Sequence, residues 1–395
     1  MSSNAVGQSV TVKQSPIERS LARAWSHWES WPTLRETSYQ VAPTQDSSRF
    51  YFSLQVFAEG RSLLAAAGTL AVRNTKFQKE IVVFREPGSW VSPPLPVGDP
   101  QLPKPVSDGC GRIIVFWTVS VQKRQELWFA RLERNRWSTP KRIPSLPSPA
   151  WGANQNSPIQ LGGCRVALAV VARDTTTGAY QHRFVVVADT VITRDRAIAG
   201  DGNFSQSDLA QQGRVLTYAY MRPLPAGRDA ITFLRSLDDG ETWKPMREDT
   251  LPRDAIAQSI HMITVGRALW FGRVEGQDFA RRGERRFVIG PLSRQTTYST
   301  TFVDDGWSNE YFMTGSACNA PTLVRLIGDA ISRTVLETFD GTTWHEREGP
   351  KNVVGFALTS HSPPRGFSNG MAGIIDTTGR PPSTTFFRTN DLCQR

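Results

Sequence analysis

Residues suited to metal or redox chemistry are scarce, since the 395-residue chain has only four cysteines and five histidines. The cysteines, Cys110, Cys164, Cys318 and Cys393, show no CxxC spacing and lie far from any pair of histidines. A disulfide scaffold, a zinc ribbon and a thioredoxin-type motif are therefore excluded, and we expect the cysteines to be buried residues rather than ligands. The histidines are too dispersed to propose a metal site, and no motif indicates a cofactor.

Long apolar runs are also missing. The richest stretch, SLLAAAGTLAV from Ser62, is shorter than the roughly eighteen residues that a membrane-spanning helix needs. Residues 1–30 are polar and contain no apolar segment of the kind found in a secretory signal. The sequence therefore predicts no membrane span, and it favours a cytoplasmic or non-classically exported protein.

Lysine is rare compared with arginine: the chain has 8 lysines and 38 arginines, with a net charge of +10. Arginine binds carboxylate and phosphate groups through two parallel hydrogen bonds, whereas lysine acts as a point charge. The basic residues are spread along the chain rather than clustered in a run, which makes nucleic acid an unlikely partner.

The chain does contain an internal repeat. A glycine or polar turn precedes an alternating apolar strand five times, and two weaker copies follow near Asp329 and Met371. The five strands begin at Arg49, Arg112, Arg165, Arg214 and Arg267. A second pattern, an apolar strand that runs into a polar turn, recurs seven times with the same phase and a mean spacing of about 50 residues.

Repeats of this length, each with several short strands, predict the blades of a β-propeller. The expected fold is all-β, with one seven-bladed propeller domain over residues 1–395 and a six-bladed, sialidase-like propeller as the alternative. The seventh unit ends after its third strand, so we expect an N-terminal strand, Ser9–Lys13 (SVTVK), to complete the last blade. Residues 15–38 are rich in tryptophan and do not have the pattern of a strand.

The segment SLDDGETW, from Ser236, matches the pattern S-x-D-x-G-x-T-W in full, and TFDGTTW from Thr338 is a shorter copy. In such a turn Asp238 would accept backbone N–H bonds, Gly240 would take a positive φ, and Trp243 would fold back over its blade. The pattern resembles the Asp-box, or BNR repeat, of sialidase-like β-propellers. This resemblance implies a propeller fold, with the motif on the face away from the ligand site.

Sialidases also share an Arg-Ile-Pro tripeptide, three arginines that hold the substrate carboxylate, an acidic acid/base residue and a Tyr–Glu nucleophile pair. The nearest N-terminal segment here is SPIERS, Ser15–Ser20, which lacks the tripeptide. The sialidase site residues therefore cannot be transferred to this chain one by one, and fold alone does not convey function.

Propeller loops that join the second and third strands of each blade converge on one face, where a basic residue recurs in this sequence. The candidate ligand-binding arginines are Arg61, Arg124, Arg173, Arg222, Arg273 and Arg380. A ring of this kind would concentrate positive potential and favour a carboxylate, sulfate or phosphate. Trp117 and Trp270 are candidate surfaces for sugar stacking.

The candidate catalytic residues are Asp174, Glu275 and Tyr180, because carboxylates beside arginines suit glycosidic hydrolysis and a tyrosine can act as nucleophile. Tyr180 and His182 could equally form the polar face of a strand. The sequence thus favours a protein that recognises a carbohydrate, and we expect this carbohydrate to be an acidic glycan. It leaves open whether the protein cleaves the glycan, as a glycoside hydrolase or lyase. The alternatives are a non-catalytic lectin or receptor-binding protein and a scaffold for protein partners.

Overall fold

The structure is a computed structural model. It describes the residues 37–39, 49–59, 62–73, 76–85, 90–98, 100–121, 124–143, 158–173, 180–200, 207–225, 228–253, 255–265, 268–277, 283–294, 296–304, 310–315, 321–327, 333–339, 341–351, 353–358, 370–376 and 383–389. In this part of the chain, no helix has the length and apolar character needed to cross a membrane.

The described strands group into seven antiparallel sheets of four or five strands, which we number in chain order. The first strand, β1 (Thr37–Tyr39), belongs to the last sheet. Sheet 1 consists of β2 (Arg49–Glu59), β3 (Ser62–Arg73), β4 (Lys76–Arg85), β5 (Trp90–Val91) and β6 (Leu95–Pro96). Sheet 2 consists of β7 (Pro100–Ser107), β8 (Ile113–Val121), β9 (Arg124–Glu133), β10 (Arg136–Trp137) and β11 (Lys141–Arg142). Sheet 3 consists of β12 (Ile159–Leu161), β13 (Arg165–Arg173), β14 (Tyr180–Ala188) and β15 (Val191–Ala199).

Sheets 4 to 7 follow the same plan, in which consecutive strands are neighbours. Sheet 4 consists of β16 (Ser207–Gln212), β17 (Val215–Leu224), β18 (Arg228–Ser236) and β19 (Lys244–Thr250), and sheet 5 of β20 (Ile256–Val265), β21 (Ala268–Gly276), β22 (Gly283–Pro291) and β23 (Tyr298–Asp304). Sheet 6 consists of β24 (Glu310–Gly315), β25 (Pro321–Ile327), β26 (Arg333–Phe339) and β27 (Trp344–Lys351). Sheet 7 consists of β28 (Val353–Leu358), β29 (Gly370–Asp376), β30 (Ser383–Thr389) and β1.

The hydrophobic cores lie between successive sheets, and β13 shows why. Successive side chains of a strand point to opposite faces, so a strand packed on both faces must be apolar throughout. Val166, Leu168 and Val170 pack against sheet 2, whereas Ala167 and Ala169 pack against sheet 4. The near-continuous apolar run RVALAVVA is the result. The fold is therefore all-β with a propeller-like arrangement of sheets.

Sheets 2 to 5 have side chains described through most of their length, and each of the three junctions between them is filled by a buried cluster. The number of blades in the complete ring stays a prediction. Removing an aromatic anchor from such a core costs about 3–5 kcal/mol of stability.

A strand from the N-terminal region pairs with the last one, but it differs from the predicted Ser9–Lys13, and its residues Thr37 and Ser38 fall in the segment expected to lack a strand. Thr37–Tyr39 runs antiparallel to β30, with Tyr39 opposite Phe386. The predicted strand at Ser9–Lys13 lies outside the described residues, as does most of the tryptophan-rich segment 15–38. The pairing segment is therefore nearer to the first complete sheet than the sequence suggested.

The turn between β18 and β19 has the hydrogen bonds and backbone angles expected from SLDDGETW. The Asp238 carboxylate accepts the Thr242 N–H at 2.9 Å, and its hydrogen bonds, chiefly from the Thr242 hydroxyl, lower its pKa to about 2. Gly240 has φ +85°, and the Trp243 ring meets Phe184 of sheet 3 edge-on at 5.4 Å. The predictions for Asp238 and Gly240 are confirmed, whereas Trp243 packs against a ring of the neighbouring sheet and so helps to close the junction with sheet 3.

The expectation for the cysteines is wrong in two cases. Cys110 is exposed, and a disulfide joins it to Cys164, with Cα atoms 5.4 Å apart. Sequence reasoning missed the pair because the two cysteines are 54 residues apart and only the stacking of sheets 2 and 3 brings their turns together. Cys318 and Cys393 lie outside the described residues.

Candidate functional site

Each four-stranded sheet has two ends, which differ in the turns they carry. We call the end where the second strand stops and the third begins the upper end; the first strand also begins there. The lower end carries the other turns, including Ser236–Trp243. Of the predicted site residues, Tyr180, Arg222, Arg273 and Glu275 lie at the upper end with their side chains described.

The other predicted residues are described less completely. Arg124 is the first residue of β9, and Arg173 is the last residue of β13. Arg61, Asp174 and Arg380 lie outside the described residues. The strands on either side of Arg61, β2 and β3, are the first and second strands of sheet 1, so the expectation that Arg61 follows a second strand is wrong. The register failed there because the sequence pattern took β2 as equivalent to the second strands of the other sheets. A ring of the other five arginines is still a prediction.

Arg273 and Glu275 form a buried ion pair at the upper end of β21. Their side chains are 9% and 6% exposed, and an oxygen of Glu275 accepts hydrogen bonds from the Arg273 guanidinium at 2.7 Å. The guanidinium also lies 5.6 Å from the centre of the Phe271 ring. Its Nη1 is buried and has no hydrogen-bond partner among the described residues. A buried donor without an acceptor is costly, so an acceptor that reached this atom would be stabilising.

Arg222 occupies the upper end of the neighbouring sheet, on β17. Its Nε and Nη2 donate to Glu248 at 2.9 and 2.5 Å, and Nε also donates to the Thr232 hydroxyl at 3.1 Å. Both partners are on the same sheet, and the side chain is half-buried. An ion pair as accessible as this one contributes little to stability.

The two arginines continue strand faces that are apolar elsewhere. The face of the second strand that packs on the preceding sheet is apolar in sheet 2, where it includes Trp117, and in sheet 3, where it includes Ala172. In sheets 4 and 5 the same face becomes polar toward the upper end, through Arg222, Arg273 and Glu275. Within the four well-described sheets, polarity is therefore concentrated at one place rather than repeated in every sheet.

A buried polar cluster lies beside this place, between sheets 3 and 4. His182 Nδ1 is 2.6 Å from the Tyr218 hydroxyl, and the His182 ring lies 4.7 Å from the Tyr220 ring. The Tyr218 hydroxyl is also hydrogen-bonded to Ser207. Burial raises the pKa of Tyr218 well above its ordinary value, so this phenol stays protonated and acts as a hydrogen-bond donor.

Two buried charged residues extend the cluster along the first strands. Asp208 accepts the N–H groups of Leu209 at 2.9 Å and of Met262, on sheet 5, at 2.6 Å. Desolvation raises the pKa of Asp208 to about 7 against the effect of these bonds, and it lowers the pKa of Lys104, on sheet 2, to about 7. The charges of the two residues attract each other. Both groups are therefore poised to change protonation near neutral pH.

Sequence reasoning missed this cluster, apart from His182, because its members come from four strands of three sheets. The only local signal is the sequence VLTYAYM in β17, where two tyrosines alternate with apolar residues. Tyr180, two residues before His182 on β14, is half-buried. Its predicted role as nucleophile stays a prediction.

The predicted sugar-stacking role of the two tryptophans does not fit their positions. Trp117 is 1% exposed in the core between sheets 1 and 2. Trp270 is 2% exposed and stacks on Tyr298 at 6.2 Å. Each indole lies on a strand face that is covered by a neighbouring sheet. Neither ring is therefore open to a ligand.

Among the described residues, no group of three or more His, Cys, Asp or Glu side chains is arranged to hold a metal ion. The polar groups above can donate and accept hydrogen bonds and can neutralise an anion. The structure thus defines an all-β protein with a propeller-like arrangement of sheets and a polar region at one end of sheets 3 to 5.

No protein-family model and no curated protein matches the chain. Solved structures that are similar include a Dyadobacter fermentans protein of unknown function, with 10% identity, TM-score 0.44, and coverage of 76% of this chain and 94% of that one. A structure from a study of two prolyl endopeptidases has 12% identity, TM-score 0.48 and coverage of 95% and 51%. Trypanosoma rangeli sialidase has 12% identity, TM-score 0.44 and coverage of 77% and 56%.

This chain thus spans about half the length of the last two proteins. Likenesses at these identities and TM-scores carry no argument about function. The fold assignment rests on the arrangement of the sheets, and any function has to be argued from the polar region itself.

Proposed function

We propose that the chain is a closed seven-bladed β-propeller that recognises an acidic carbohydrate at the upper end of sheets 4 and 5. The observation that carries the proposal is the buried Arg273 guanidinium, whose Nη1 has no hydrogen-bond partner among the described residues. Two further arguments, one on the ring and one on the ligand, support it.

The ring is supported by the contacts between first strands. β28 contacts β2, β2 contacts β7, β7 contacts β12, and the series continues through β16, β20 and β24 back to β28. A cyclic order of this kind gives each of the seven sheets a neighbour on both faces. The pairing of β1 with β30 would complete the seventh blade.

The ligand class follows from the chemistry of the donors. A guanidinium N–H suits an oxygen of a carboxylate or sulfate, which are the charged groups of acidic sugars, and Nη1 is the nitrogen of Arg273 that does not contact Glu275. Arg222 adds a second guanidinium at the same end, held by Glu248 and Thr232.

Cleavage of the bound glycan is the finer form of this proposal. Glu275, in contact with Arg273, would act as one of the two carboxylates that glycosidic hydrolysis needs, and Asp174 and Tyr180 would supply the other groups. Because Glu275 is ion-paired with Arg273, it is better suited to fixing the orientation of the Arg273 guanidinium than to transferring a proton. Binding without turnover is accordingly the first expectation.

The experiment is a glycan-array screen of the purified chain at about 50 and about 300 mM salt. The array would carry sialylated, sulfated, uronic and neutral glycans, and Arg273→Gln would be tested beside the parent. We expect the parent to bind acidic glycans more weakly at high salt. Arg273→Gln should bind about 10- to 100-fold more weakly, because it loses a charge-assisted pair of hydrogen bonds.

Arg247→Gln is the matched control. Arg247 pairs with Asp249 at 2.5 Å and donates to the carbonyls of Leu292 and Arg294, so it is an ordered, ion-paired arginine that lies away from the upper end. Its substitution should leave glycan binding unchanged. Equal binding by the Arg273 variant, or no acidic glycan bound by the parent, would contradict the proposal. Circular dichroism of each variant would confirm that it is folded.

A further inference from the structure

The Cys110–Cys164 disulfide links two turns at the lower end, far from the proposed site. Cys110 lies in the turn between β7 and β8 of sheet 2, and Cys164 lies in the turn between β12 and β13 of sheet 3. The bond therefore crosses the junction between two neighbouring sheets that otherwise pack through side chains.

One of the two cysteines has an unusual backbone conformation. Cys164 has φ +58°, in the left-handed region that glycine adopts without strain. The corresponding residue before the first arginine of the strand is Gly111 in sheet 2 and Gly213 in sheet 4, with φ +86° and +61°. Cysteine thus stands where the repeat elsewhere has glycine, in a conformation that is strained for a residue with a side chain.

The surroundings hold the two turns together independently of the bond. The Asp108 carboxylate accepts the Cys110 N–H at 2.8 Å and the Arg112 guanidinium at 2.5 Å. Gly109 packs so closely on sheet 3 that an added Cβ would meet the Gln160 amide at 2.3 Å. Arg131, on sheet 2, is paired with Asp189 on sheet 3. The thiols are therefore brought together by folding and need only an oxidant.

We infer that the chain matures and works in an oxidising compartment, where this disulfide forms as a permanent clamp between sheets 2 and 3. Two thiols lose two protons and two electrons, and the disulfide of a thiol–disulfide oxidoreductase takes up both and becomes a dithiol. Disulfides of this kind persist outside the reducing cytosol. The inference replaces the cytoplasmic location favoured by the N-terminal sequence, and it does not depend on the proposed ligand.

The first test is chemical trapping. The chain would be isolated from its natural source with free thiols alkylated at lysis, and then digested without reduction. We expect a peptide containing Cys110 joined to one containing Cys164, two hydrogens lighter than their sum. Alkylation of both residues in most of the molecules would overturn the inference.

The second test measures the clamp. Closing a loop of 54 residues should raise the folding equilibrium constant about a thousand-fold. Reductant should therefore lower the urea midpoint of the parent, while Cys110→Ser should have the lower midpoint already and should not respond. Cys318→Ser and Cys393→Ser together form the control, which should respond as the parent does. A parent whose midpoint is the same with and without reductant would contradict the clamp.

Discussion

Substitution of Gly240 tests how tightly the turn between β18 and β19 closes the junction between sheets 3 and 4. An alanine Cβ at this position would lie 2.2 Å from Cε1 of Phe184 and 2.8 Å from its Cζ. Phe184 is fully buried, with a rigid ring that also meets Trp243, so it has no free space to occupy. The backbone at Gly240 has φ +85°, which adds strain for any L side chain.

The cost of backbone strain and the cost of overpacking against Phe184 can be separated by substituting a second glycine that has a positive φ but no close neighbour. Gly213 has φ +61° and no atom within 4 Å of an added Cβ, so Gly213→Ala reports the backbone strain alone, about 1–2 kcal/mol. Gly240→Ala adds overpacking of about 1–3 kcal/mol, for a total of about 2–5 kcal/mol. Equilibrium unfolding in urea would measure both losses of free energy.

Adding Phe184→Ala to each glycine variant completes the comparison. Removing the ring makes room for the Cβ at 240, so the costs of Phe184→Ala and Gly240→Ala should sum to more than the cost of the double variant. With Gly213→Ala the two costs should add. If Gly240→Ala cost no more than Gly213→Ala, the close approach of turn and ring would be refuted.

Three further substitutions test the buried residues. Tyr218→Phe deprives His182 of its hydrogen-bonded hydroxyl and should cost about 1–3 kcal/mol, measured by urea unfolding. Asp208 holds its proton up to about pH 7 in the folded chain, against 3.8 as its ordinary pKa, so the free energy of unfolding should fall as the pH rises from about 4 to about 7. Asp208→Asn should reduce that fall, and identical pH profiles would contradict the shifted pKa. Phe233→Ala should cost about 3–5 kcal/mol, whereas Leu237→Ala, at 63% exposure, should change stability by less than about 0.5 kcal/mol in the same assay.

The sequence predicts the local elements well, because they depend on short-range patterns. The alternating segments that begin at Arg165 and Arg214 correspond to β13 and β17, the second strands of their sheets, and the turn at Ser236 has its expected hydrogen bonds. The segment at Arg49 is a strand too, β2, but it is the first of its sheet and so is out of phase with the other copies. These features need only the two-residue alternation of a strand and the backbone freedom of glycine.

Features that depend on the packing of one sheet against another could not be predicted in this way. The Cys110–Cys164 bond and the contact of Asp208 with Met262 join residues about 50 positions apart. Trp117 looked like a candidate ligand surface because its position along the strand does not tell which sheet covers it. The candidate site was predicted in part, through Arg222, Arg273 and Glu275, since each lies where a second strand ends.

The pairing of β1 with β30 sets an order of events during synthesis. Tyr39 and its partner Phe386 are separated by on the order of 350 residues, so the strand that leaves the ribosome early must wait for the one that leaves last. At about 5–20 residues per second that delay is tens of seconds. Until then Thr37–Tyr39 has no strand to pair with, and the first complete sheet lacks the contact of β2 with β28.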